Sequence, residues 1–86
     1  MTPKSDVHAK LARAPLADLK KGQGGTVVRV LTVDRDILKK YAAMGIFPGV
    51  GIKLIQRSPS FLFQIGRSQF AVDKALASKI EIEIAG

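Results

Sequence analysis

Cysteine is absent from this sequence of 86 residues, and histidine occurs once, at His8. The first absence removes disulfide staples, thiolate nucleophiles and every zinc site built on sulfur, so stability has to come from packing. It also fits a reducing compartment. No apolar run approaches the ~18 residues of a membrane-spanning helix. The first fourteen residues, MTPKSDVHAKLARA, lack the apolar centre of a secretory signal. The expectation is a cytoplasmic chain.

Other absences bear on chemistry. There is no Ser-His-Asp order and no pair of carboxylates isolated among apolar residues, which general acid–base or nucleophilic catalysis would use. The cluster Gly22, Gly24, Gly25 lacks the Lys-Ser/Thr ending and the following helix of a phosphate-cradling loop. His8 has only Asp6 nearby as a second ligand, so it reads as a solvated tail residue rather than a metal ligand. Asp34 and Asp36 are accounted for by a helix start, and Glu81 and Glu83 share one face of a strand without further acids. No enzyme activity, resident cofactor or metal site is expected.

What is present is one compact unit. A chain this short must use its apolar residues densely to reach marginal stability, and 47% of its residues are hydrophobic. Fourteen Lys and Arg against seven Asp and Glu give +7. Lys4, Lys10 and Arg13 against Asp6 put +2 in residues 1–14, leaving eleven bases and six acids, +5, over 15–86. The charge is spread, with no basic arm.

Residues 1–14 read as a tail, with a short helix through Val7, Leu11 and Ala12, and the domain as 15–86. Leu16 and Leu19 form one apolar turn before a glycine-rich loop in which Gly22 takes a positive φ. Residues 26–33, TVVRVLTV, are β-branched and short, hence a strand; both faces are apolar, as in a strand bent around a small barrel, with Arg29 outward.

At Asp34 the period changes. Ile37, Leu38, Tyr41 and Met44 recur at helical spacing, predicting a helix over 35–44 with Asp34 as N-cap and Gly45 at the left-handed position past its end. Ile46 packs back on the last turn, and Pro48-Gly49 makes a type II turn. Strands follow at 51–57, 61–65 and 68–72, the last two joined by Gly66-Arg67. Asp73 caps a helical turn over about 74–78. Residues 80–84, IEIEI, then alternate, forming a strand whose edge is a candidate for pairing between copies. The predicted fold is mainly β: a small, strongly bent barrel of about five strands with one inserted helix.

The order LADLKKGQGGTVVRV, a helix ending YAAMGIFPG, then IKLIQRSP and FAVDKALASKIEIE resembles the ferrous iron transport protein A (FeoA) family over residues 15–84. Its most specific piece is Met44-Gly45-Ile46-Phe47-Pro48-Gly49. Lys21, where the family often has proline, and a loop after Pro59 without the usual glycine depart from its pattern. The barrel also resembles the C-terminal SH3-like domain of iron-dependent repressors of the diphtheria toxin repressor class. The resemblance implies an SH3-like fold and a non-enzymatic role beside FeoB, the membrane ferrous iron transporter with a cytosolic GTP-binding domain. Gly22, Met44, Gly45, Pro48 and Gly49 are then the structural signature.

Three readings compete for function. An exposed tip at Phe61 and Leu62, with Phe47, offers aromatic anchors for a protein partner, rimmed by Lys39 and Lys40; the rival reading gives the tip to the core. Lys39, Lys40 and Arg35, with Arg57 or Arg67, would form the basic surface of a nucleic-acid-binding or transcription-linked barrel. Direct metal sensing is the third alternative.

Overall fold

A computed structural model describes residues 12–85 of the chain. Six strands, β1 (Arg13–Pro15), β2 (Gly24–Val30), β3 (Gly51–Gln56), β4 (Phe61–Ile65), β5 (Ser68–Val72) and β6 (Ile80–Ile84), form one antiparallel sheet in the order β1-β6-β2-β3-β4-β5. Helix α1 (Arg35–Ala43) lies between β2 and β3, and the single turn α2 (Lys74–Ala77) between β5 and β6. A 3-10 turn, Leu16–Asp18, follows β1.

The sheet bends where its register slips, between Val27 and Arg29 against β6 and between Leu54 and Gln56 against β4. An extra residue in one strand raises the local twist and turns the strand around its core. That core takes Leu16, Leu19, Val27, Tyr41, Leu54, Phe63, Ile80 and Ile82 as its largest fully buried side chains. β2 is shared, pairing with β3 through Gly24–Thr26 and with β6 through Gly25–Val30. The crossing is tight: a Cβ on Gly25 would lie 2.1 Å from the carbonyl oxygen of Glu83. Glycine is therefore required for β6 to approach β2 at this point.

Helix α1 is set by its ends. The Asp34 carboxylate accepts from the N–H groups of Asp36 (2.9 Å) and Ile37 (3.2 Å). At the other end Gly45 N–H donates to Ala42 C=O (3.0 Å) and Ile46 N–H to Tyr41 C=O (2.9 Å), the paired bonds of a Schellman ending with Gly45 at φ +80°. Ile46 and Tyr41, joined by that bond, are both buried. The turn Phe47–Val50 closes through Val50 N–H to Phe47 C=O (3.1 Å), and Gly49 sits at φ +92°. Gly22 likewise has φ +86°.

Several expectations change. Arg13 and Ala14, assigned to the tail, are paired with Glu83 and Ile82 of β6; a three-residue strand carries no periodic signal. Ala12 is not helical, and its carbonyl accepts from Ile84 N–H (2.9 Å); Val7, Leu11 and His8 lie outside the described residues. β2 runs over 24–30 rather than 26–33, so Leu31 and Val33 leave the sheet. β6 lies inside the sheet between β1 and β2, which removes its edge as a pairing surface. Phe70 is on the edge strand β5, half-buried, with its ring 5.8 Å from that of Phe63.

Arg57 ties the sheet to the 3-10 turn. Its Nη1 donates to the carbonyls of Ala17 (2.8 Å) and Leu19 (2.5 Å), and its guanidinium lies 5.4 Å from the Phe61 ring centre. Charge-assisted bonds to partly buried carbonyls are worth more than neutral ones, and losing them leaves acceptors unpaired. Arg57→Met, which keeps the aliphatic stem, is expected to lower stability by about 2 kcal/mol in urea denaturation.

Candidate functional site

The turn that follows α1 is held against β2. Gly49 N–H donates to Val27 C=O and Val27 N–H to Val50 C=O, both at 2.8 Å. With the Schellman ending behind it and this pair ahead, the segment Ile46–Pro48 has a fixed course between helix and sheet. Phe47 projects from it, 51% exposed.

Between this segment, α1 and β2 lies an apolar cleft of about 390 Å³, lined by Val30, Leu38, Tyr41, Ala42, Phe47 and Pro48 together with Arg29 and Ile46. Leu38, at helical spacing with Ile37, Tyr41 and Met44, forms part of its wall and is 36% exposed. The connection from Val30 to α1 adds Leu31 and Val33, 51% and 93% exposed. These two, Leu38 and Phe47 are the exposed large hydrophobic residues among those described. All four lie on α1 or on the two segments that flank it, whereas isolated exposed apolar residues would be scattered.

Polar groups at the cleft are few. Arg29 on β2 is ion-paired with Glu81 across the sheet. The Tyr41 hydroxyl donates to the Leu76 carbonyl (2.6 Å), linking α1 to α2. Burial, and secondarily the Asp73 carboxylate, push its pKa up from 10 to about 12.

The candidates separate on this geometry. Phe47 is exposed as expected. Phe61 is 7% exposed and packs in the core, and Leu62, on the opposite face of β4, is half-buried. The tip therefore does not offer two anchors: an extended strand sends neighbouring side chains to opposite faces, and Phe61 took the inner one. Lys39 and Lys40 are exposed on α1. Residues three and four apart share a helix face, so Lys39 stands beside Ala42 and Arg35 beside Leu38 at the cleft. Lys40 is grouped by the same spacing with Ile37 and Met44, which pack against the core. Of the cations considered for a basic surface, Arg57 is engaged with backbone carbonyls. Among the described residues no cluster of three or more His, Asp or Glu could hold a metal ion. No described helix is long and apolar enough to cross a membrane.

The chain matches the FeoA domain family over residues 14–84. Among solved structures, an iron uptake regulatory protein (FeoA) is similar at 27% identity and TM-score 0.78, over 87% of this chain and 100% of that one. FeoA from Stenotrophomonas maltophilia, a prokaryotic SH3 domain protein solved with zinc, is similar at 19% identity and TM-score 0.67, over 77% and 85%. IdeR from T. acidophilum matches at 19% identity and TM-score 0.81, over 86% of this chain but 35% of its own. Among curated proteins none matches. The fold is SH3-like and mainly β, as expected, with six strands where about five were expected.

Two measurements probe this site. Phe47→Ser is expected to cost less than about 1 kcal/mol and Phe61→Ser at least about 3 kcal/mol in chemical denaturation, as exposed and core positions require. The raised Tyr41 pKa means the folded state holds its proton more tightly. The corresponding stability is complete below pH 10 and is lost as pH rises from 10 to about 12. Alkaline unfolding of Tyr41→Phe should therefore lack this component, giving a shallower stability loss across that window.

Proposed function

Because the chain belongs to the FeoA domain family, whose members are ferrous iron transport accessory proteins, we propose that it binds the FeoB transporter from the cytoplasmic side and regulates it without catalysing a reaction. The observation that carries this reading is the cleft under Phe47. A small protein that leaves an aromatic ring and aliphatic side chains around one apolar depression presents the kind of surface that protein partners cover.

The chemistry of the cleft favours a protein over a reacting small molecule. Its lining is aliphatic and aromatic, its arginine is neutralised by Glu81, and its tyrosine hydroxyl is spent on Leu76. No group there is placed to act as base, nucleophile or metal ligand, whereas Phe47 and Leu38 are shaped as anchors. Occupying the cleft biases the transporter only if the binding surface differs between its conformations, since a ligand shifts an equilibrium by its differential affinity alone. Regulation then follows from docking, with iron itself as the transporter's substrate.

The test is binding to the isolated cytosolic portion of FeoB, measured by calorimetry with folded variants. Phe47→Ser and Leu38→Ser are expected to weaken binding at least about tenfold, the equivalent of about 1.4 kcal/mol. Lys40→Ser, away from the cleft, is expected to leave it unchanged. Equal affinity for all three would overturn this assignment of the surface.

A further inference from the structure

Resting on the reading of the cleft as a partner site, we infer that its occupant is an acidic amphipathic segment of the partner protein: an apolar side chain enters the depression and carboxylates flank it. The apolar half of the argument is the lining already described. The charged half comes from helix geometry. Arg35, Leu38, Lys39 and Ala42 fall on neighbouring rows of α1, so both cations border Leu38 and Ala42, two of the three α1 residues that line the cleft. Arg29 on the β2 side is paired with Glu81 and adds no net charge, so the positive charge of the rim comes from Arg35 and Lys39.

The acidic groups near α1 are engaged or placed elsewhere. The Asp34 carboxylate caps the helix N-terminus. Asp36, three residues before Lys39 and four before Lys40, neighbours both on the side of α1 turned away from Leu38 and Ala42. Asp73 stands by the Tyr41 hydroxyl at the inner end, next to α2. The outer rim of the cleft is thus positive around an apolar floor. A segment that buries leucine or phenylalanine there gains most when its neighbours are Asp or Glu, and a basic segment is repelled.

Other occupants fit less well. A second copy of the chain brings the same excess of positive charge, +7 in all. Single-stranded nucleic acid stacks its bases on exposed aromatic rings, and Phe47 is the one ring exposed among the described residues, with the rest of the patch aliphatic. Carboxylates on a helical or extended partner segment satisfy both the floor and the rim.

Two synthetic amphipathic peptides, leucine on one face and either glutamate or lysine on the other, test this by titration into isotopically labelled protein. The glutamate peptide is expected to shift the amide signals of Leu38, Ala42 and Phe47 and to weaken as salt is raised past the ~10 Å screening length of 0.1 M. The lysine peptide is expected to leave those signals unchanged. The double variant Arg35→Glu, Lys39→Glu should lose at least about tenfold in affinity for the glutamate peptide. Equal binding of both peptides, shifts confined to another surface, or no binding by either would overturn the inference. Its failure is separable from that of the FeoB reading. If Phe47→Ser abolishes FeoB binding while the charge-reversed variant binds FeoB normally, the acidic flank is wrong and the partner stands. If the glutamate peptide binds at the cleft and FeoB does not bind, the site stands and the partner is wrong.

Discussion

The main-chain clamp at Val27 is the constraint on which the cleft depends. Both polar groups of that residue are used by the turn after α1, through Gly49 and Val50. Its side chain is buried in the core, and on its other side it pairs with Ile82 of β6. Immediately beyond it the strand bulges. One residue thus joins the sheet, the core and the helix exit, and fixes how far α1 stands from β2. The depression exists because α1 is seated at both ends, by the Asp34 cap and by the Schellman bonds to Ile46, while β2 turns away beneath it. A loop without those anchors would have room to collapse Phe47 onto Val30 and close the space.

Much of this architecture was legible because it is written in local chemistry. The helix has a periodic apolar row, an N-cap and a left-handed glycine; each restricts the backbone within a few residues, and the observed Arg35–Ala43 follows directly. The isoleucine alternation of β6 and the Gly66-Arg67 hairpin are local too. What escaped is non-local. The pairing of Arg13–Pro15 with Glu81–Glu83 depends on residues far along the chain, and three residues cannot display a period. The start of β2 at Gly24 was hidden because glycine has low strand propensity; its presence there answers to the backbone oxygens of neighbouring strands.

The same distinction explains the site. Phe47 and Lys39 were legible as candidates, since a ring after a helix end and a lysine off the apolar row have little to bury them. The place of Leu38 was not legible, because a periodic row says which side of a helix is apolar and not where the core stops. Ile37 and Tyr41 fill the inner part of that row and Leu38 its outer margin. A helix on a six-stranded sheet has more apolar width than the sheet covers, and the uncovered strip becomes the wall. Phe61 and Leu62 posed the converse problem: adjacent bulky residues in a strand guarantee that one faces outward, but the register of β4 against β5, with Phe61 opposite Val72, decides which.

This division of labour explains why a chain of this size keeps its exposed apolar residues together. Each of Leu31, Val33, Leu38 and Phe47 leaves apolar surface in water that a larger core would absorb, at roughly 25 cal/mol for every Å². On the proposed docking reading, Leu38 and Phe47, which line one fixed depression, supply contact area to a partner without any ordering of the loop on binding. The clamp at Val27 is what makes that economical. A pre-formed site loses little conformational entropy when it is filled, so a small patch suffices for a specific contact. On the proposed docking reading, the bonds that hold Phe47 in place serve recognition as well as the stability of the fold.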